Sequence, residues 1–365
     1  MRRLSALGSE SFERYFFAEL QEMSDDLAHA LGGQLRALIL AGGYGRGEGA
    51  VVRVGRREMP YNDVDLVPVV GRPRRRWPLR VHAVRRSWQD RLGIHVDLSR
   101  PVTARGIRRW PHRLLWHDVV CGHRVLWGDR KAVGRSAPAY LRQPPPLIEA
   151  TRLLVNRGAG LIEATRRLLL ALPPDPCDED FVRRNGFKAD LAAMDALLIA
   201  YRSYHPSVFQ RPSCLRRLQR KVPGLARMDL LPAARRAVRF KVFPCAVPAP
   251  IDLRCMGRRI ARFASVLCHV ETLRRGRELP GLSALAGDRE PWEIDENRPA
   301  RIPVNIVRQL GRGRLDWRSP RQSLLPEMAL LLDESPLRSA SVGTTATAAW
   351  CERARDFFTR WTELS

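Results

Sequence analysis

The most constraining feature of this chain is the stretch Leu40-Ala41-Gly42-Gly43-Tyr44-Gly45-Arg46-Gly47-Glu48-Gly49, which follows the apolar run Leu35–Leu40 without a break. A short apolar run that stops at a glycine pair reads as a buried strand entering a tight turn. Glycines there let the backbone approach a ligand closely and turn its N–H groups outward as an anion-binding nest. Two common phosphate-binding solutions are excluded. No Lys followed by Ser or Thr closes the turn as in a Walker loop, and the glycine spacing does not give the GxGxxG dinucleotide fingerprint.

The next informative element is Asn62-Asp63-Val64-Asp65-Leu66, leading into Val67, Val69 and Val70. Side chains alternate faces along a strand, so Asp63 and Asp65 point the same way. Two adjacent carboxylates repel unless a cation lies between them, and hard oxygen ligands suit Mg²⁺ or Mn²⁺. A third apolar segment, Leu92–Leu98, carries Asp97 among apolar neighbours. Three strand acids beside a phosphate-binding turn are the parts that nucleotidyl transfer with two metal ions requires. Asp63 and Asp65 would bridge both ions. Asp97 would complete the ion that activates the acceptor hydroxyl, or would itself take the proton. Asp63, Asp65 and Asp97 are therefore both the candidate catalytic residues and the candidate metal ligands.

In order and type, these residues resemble the DNA polymerase β-like nucleotidyltransferase superfamily, whose pattern is a hydrophobic residue, Gly, then Gly or Ser, followed by D-h-D and a later strand Asp. Gly42-Gly43 match the first element, Asp63 and Asp65 the second, and Asp97 the third. The string GGYGRGE is also similar to the transferase domain of the uridylyltransferases that modify the PII nitrogen-regulatory protein. The resemblance spans about residues 30–130. It implies an α+β fold, with a small mixed sheet and flanking helices, followed by a mostly helical domain. It also implies a nucleoside triphosphate as donor, with Gly42, Gly43 and Tyr44 at the nucleotide and Arg46 neutralising its phosphates through a forked contact. Glu48 would either orient Arg46 or face water. The segment between Gly43 and Asp63 is longer than is usual in that family, and Ala50–Pro60 can form an inserted hairpin turning at Gly55.

Phe12, Phe16, Leu20, Met23 and Leu27 recur at helical spacing behind a Ser9 or Ser11 cap, so residues 10–31 read as an amphipathic helix. The nucleotidyltransferase domain is expected over 1–135, a Pro-rich linker over 136–146, and a mostly helical domain over 147–365. In the last, helices are expected from Leu147 to Leu170, around 187–201, and near 213–222, 228–242, 257–275 and 346–363. The stretch 277–322 reads mainly as loop. Asn156-Arg157, and Lys188 with Asp195, resemble the helical partner domain of small nucleotidyltransferases. By that resemblance Lys188 reaches the nucleotide phosphates, the alternative being a solvated helix face. The pair His117-Asp118 lacks the further spaced ligands of a metal phosphohydrolase and reads as structural.

The formal charge of +25 comes almost wholly from arginine, the lysines being Lys131, Lys188, Lys221 and Lys241. The arginines are dispersed, which describes a generic basic surface better than a single nucleic-acid face. The seven cysteines include no CxxC pair and read as scattered thiols. No apolar run reaches the roughly 20 residues of a membrane span, so a cytoplasmic location without a membrane partner is expected. The expected activity is metal-dependent transfer of NMP from NTP to a hydroxyl of a small molecule or protein, with release of pyrophosphate. The alternatives are a catalytically silent nucleotide-binding regulator of the same fold and an enzyme acting on RNA ends. The acceptor, the preferred base and the oligomeric state are not encoded in any motif.

Overall fold

The computed structural model describes residues 3–72, 77–170, 175–244, 252–288, 324–339 and 345–364, together with Trp292, Gln322 and Gly343. It is a mixed α+β protein that divides into two compact units. The first comprises residues 1–145, 204–210 and 238–248, and the second the remainder. Among the described residues, no helix is long and apolar enough to cross a membrane.

The first unit begins with α1 (Glu10–Leu31), whose N-cap Ser9 accepts from the Phe12 N–H. The expected apolar stripe is its buried face. Next come β1 (Leu35–Leu40), the short α2 (Gly42–Arg46), β2 (Val51–Val54), β3 (Arg57–Pro60) and β4 (Val64–Val70). After these the chain forms α3 (Leu79–Leu92), β5 (Val96–Leu98), α4 (Ala104–Ile107), α5 (Leu114–Cys121), β6 (Arg124–Gly128) and α6 (Ala132–Ser136). Four strands make one sheet in the order β5-β4-β1-β6. β1 is antiparallel to both β4 and β6, whereas β4 and β5 run parallel. β2 and β3 form a separate hairpin that turns at Gly55, as the sequence suggested.

Alternation along the strands builds two cores, one on each face of the sheet. Leu38, Leu40, Val64, Leu66 and Val96 pack with Phe12, Phe16, Leu20 and Met23 of α1 and with Val81 and Trp88 of α3. Ala37, Ile39, Val67 and Val69 pack on the other face with Ile107, Trp110, Val119, Val133 and Leu141. A sheet covered on both faces excludes water from everything except its strand ends.

Three sequence expectations are corrected here. Residue 92 closes α3, with Gly93 in the left-handed region as its cap, so the third strand is only Val96–Leu98. Residues 136–146 are not a free linker. Ser136 ends α6 in a buried position, residues 139–142 form a 3₁₀ turn, and Leu141 is wholly buried. Asp63 lies one residue before β4 rather than on it.

The second unit is helical. Its main elements are α7 (Ile148–Leu170), α8 (Pro176–Ala200), α9 (Arg211–Lys221) and α11 (Leu253–Arg275), with α10 (Leu230–Val242) continuing into the first unit's segment 238–248. α8 starts eleven residues before the expected 187, where Asp175 caps it through the Asp178 N–H and Pro176 occupies the first turn. Leu154, Leu161, Met194, Leu198, Phe263 and Leu267 are buried with Met328 and Phe357 from helices Leu325–Asp333 and Thr345–Glu363. Much of this unit's arginine neutralises buried acids. Glu163 takes Arg166 and Arg167, Asp190 takes Arg259 and Arg262, Asp195 takes Arg211, and Glu271 takes Arg274 and Arg275. Of the stretch expected to be loop, α12 (Leu282–Ala286) is helical. Residues 289–321, apart from Trp292, lie outside the described residues.

Candidate functional site

The site is built where β1 ends and β4 and β5 begin. In the parallel pair of β4 and β5, Val64 faces Val96, Asp65 faces Asp97 and Leu66 faces Leu98. The Val64 N–H donates to the His95 carbonyl at 2.9 Å, and Ser99 N–H donates to the Leu66 carbonyl at 2.9 Å, which fixes that register. Neighbours across a parallel pair share a face, so Asp65 and Asp97 project to one side, the side of Val67 and Val69. Asp63 and Asp97 are exposed, while Asp65 is half-buried. The burial of Asp65 and the nearby charges of Asp63 and Asp97 push its pKa up to about 6, against the opposing pull of Arg46 and His95. Among the described residues, no three His, Cys, Asp or Glu side chains are already gathered into a metal-holding set.

The glycine stretch lies against this acid. Its backbone is joined to β4 by Ala41 N–H donating to the Asp65 carbonyl at 2.8 Å. Gly42 has a φ of +60°, and a Cβ built there would stand 1.8 Å from Oδ2 of Asp65. No other residue fits, because both the backbone conformation and the space are denied to a side chain. Gly43 follows it in the same half-buried stretch, and a Cβ there would be in ordinary contact with the backbone of Glu48 and Gly49. The expected open nest is in fact one helical turn, α2, closed by Gly47 in the left-handed region.

Tyr44 is a correction. It was expected at the nucleotide, but its side chain is wholly buried. The hydroxyl donates to the Ala50 carbonyl at 2.8 Å and accepts from the Tyr61 N–H at 3.0 Å. Its ring packs edge-on against Phe16, with centroids 4.8 Å apart. Burial raises its phenol pKa. Tyr44 thus pins the base of the hairpin to the core. Asn62 does the same from the other side, accepting from the Ala50 N–H at 2.7 Å.

Arg46 is already partnered. Its Nε lies 3.3 Å from Oε2 of Glu48 and its Nη1 lies 3.5 Å from Oδ2 of Asp118, with only 11% of its side chain exposed. Glu48 is buried and does not face water. Its other oxygen accepts from the Val208 N–H at 2.9 Å. Asp118 in turn accepts from the Tyr204 hydroxyl at 3.0 Å, and His117 is buried with Nδ1 2.8 Å from the Leu141 carbonyl. The glycine turn is therefore locked through Arg46, Glu48 and Asp118 to the returning segment 204–210. Tyr204 and Val208 carry no sequence signal for this role, since they lie far along the chain from the turn they hold. Lys188 is on α8 of the second unit and is half-buried.

In comparisons with known proteins, no family model, no curated protein and no solved structure matches this chain.

Proposed function

We propose that the chain is a polymerase β-like nucleotidyltransferase that moves a nucleoside monophosphate from NTP to a hydroxyl, releasing pyrophosphate. The observation that carries this reading is the pairing of Asp65 with Asp97 on one face at the strand ends, with Asp63 alongside and Gly42 closed against Asp65. A hydrophobic sheet has no structural use for this arrangement, because it holds Asp65 half-buried beside two like charges. A divalent cation fits the donor set, since the oxygens of Asp63, Asp65 and Asp97 are hard ligands whose repulsion a positive ion relieves. Bound there, Mg²⁺ or Mn²⁺ would neutralise the triphosphate and lower the pKa of the acceptor hydroxyl. The chain's own contributions would be the exposed carboxylates of Asp63 and Asp97 and the fixed backbone of Gly42 and Gly43. Arg46 would act on the turn from beneath, because Glu48 and Asp118 already hold it.

The engagement of Arg46 also favours a second reading, a nucleotide-binding protein of the same fold without turnover. One experiment separates the two. The protein is incubated with each labelled NTP, Mn²⁺ and either small hydroxyl acceptors or cell extract, alongside the Asp63→Ala/Asp65→Ala variant. Label transferred by the wild type and lost in the variant supports transfer. NTP binding without transfer supports the silent regulator, and equal labelling by both proteins sinks the proposal.

A further inference from the structure

On the opposite face of the sheet from the acids, α1 and the β2–β3 hairpin line an open cleft of about 850 Å³. That size lies in the range of pockets that hold small organic ligands. Its lining is chemically uneven. Arg53, Arg56 and Arg57 of the hairpin are all exposed, and the hydroxyls of Ser9 and Ser11 stand at the start of α1. Tyr15 is 42% exposed beside the buried ring of Phe12. The one acid in the lining, Glu58, is neutralised locally. Its Oε2 accepts from the Ser9 N–H at 2.8 Å and its Oε1 lies 3.4 Å from Arg53 Nη2.

Arg56 and Arg57 make no ion pair among the described residues, so both guanidinium groups at the cleft are open to an anion. Two guanidinium forks in one cleft with an aromatic ring and hydroxyls suit a ligand that has a phosphate at one end and a flat, partly apolar body at the other. The buried ring of Phe12 contributes apolar surface to the lining. We propose that this cleft is a second binding site, separate from the acids, for a mononucleotide-sized organic phosphate. The phosphate would lie on Arg56 and Arg57 and the base against Tyr15. This does not depend on the reading of the acids as a transferase centre.

Calorimetric titration of the full chain with a nucleoside monophosphate, and separately with inorganic phosphate, tests it. The variants are Arg56→Ala/Arg57→Ala, Tyr15→Ala and Asp65→Asn. All the substituted side chains at the cleft are exposed, so folding is expected to survive, and circular dichroism checks it. Loss of both forks should weaken both ligands by about tenfold or more, while Tyr15→Ala should weaken the nucleotide by roughly tenfold and leave inorganic phosphate unchanged. Asp65→Asn should leave this binding intact, and Arg56→Ala/Arg57→Ala should leave any nucleotidyl transfer intact. The proposal is overturned by nucleotide binding that Asp65→Asn abolishes and Arg56→Ala/Arg57→Ala spares. Absence of binding at millimolar nucleotide overturns it too. So does binding confined to single-stranded oligonucleotides with a steep salt dependence, which would mark the arginines as a strand-contacting surface.

Discussion

Replacing Asp65 with Asn should stabilise the protein, and by an amount that grows with pH. Burial and the charges of Asp63 and Asp97 raise its pKa from an ordinary 3.8 to about 6. At about 1.4 kcal/mol per unit, that is about 3 kcal/mol of opposition to the ionised form in the folded chain. Because the folded-state value is the higher one, the contribution of Asp65 to stability is fully present below pH 4. It is lost as pH rises through 6. Asn carries no charge and escapes that loss. The stability difference should therefore be near zero at pH 4, open between pH 4 and 7, and level off at about 3 kcal/mol by pH 8. For a unit of this size, that is a rise of roughly 6–12 °C in its melting temperature. Thermal melts of both proteins across this pH range, with EDTA present, measure it. An Asn variant that is no more stable than wild type at pH 8, or a difference that does not change with pH, would refute the electrostatic account. Added Mn²⁺ should reverse the order, raising the melting temperature of the wild type alone, since a ligand stabilises only the form that binds it.

Other substitutions probe the turn and its lock. Gly42→Ala places a methyl group against Asp65 at a positive φ and should cost about 2–4 kcal/mol in urea denaturation. A loss under 0.5 kcal/mol would show that Asp65 moves aside freely. Tyr44→Phe removes the hydroxyl that joins Ala50 to Tyr61 and should cost about 1–2 kcal/mol. Glu48→Gln removes the carboxylate 3.3 Å from Arg46 Nε in a mostly buried site and should cost about 2–4 kcal/mol. If that variant melts like wild type, the lock is not rigid.

What the sequence could reveal depended on the range of the interaction. The helix at 10–31 and the strands at 35–40 and 64–70 were readable because each buries one periodic set of side chains, and period is a local property. The hairpin at 51–60 was readable from its length and Gly55. The helix α3 was not, because only Val81, Trp88 and Leu92 of it are buried, too sparse a stripe for the period to show. The segment around Leu141 was misread as linker, since prolines that halt a helix are equally compatible with a packed irregular stretch.

The candidate site divides in the same way. The alternation that puts Asp65, Val67 and Val69 on one face is local, but the register that sets Asp65 opposite Asp97 is a tertiary fact. It follows from the parallel crossover through α3. Tyr44 and Arg46 lie in the same motif as Gly42 and looked equally available to a ligand. A short helical turn separates them from it by direction. The tyrosine is sent into the core and the arginine is held against Glu48 and Asp118, while Gly42 is left against the acid. A glycine-rich string thus specifies close backbone approach, whereas the fate of the side chains between the glycines is set by distant residues. For Tyr44 those residues are Phe16 and Tyr61, and for Arg46 they are Asp118 and, through it and Glu48, Tyr204 and Val208, so a substitution in segment 204–210 should alter the turn as surely as one within it.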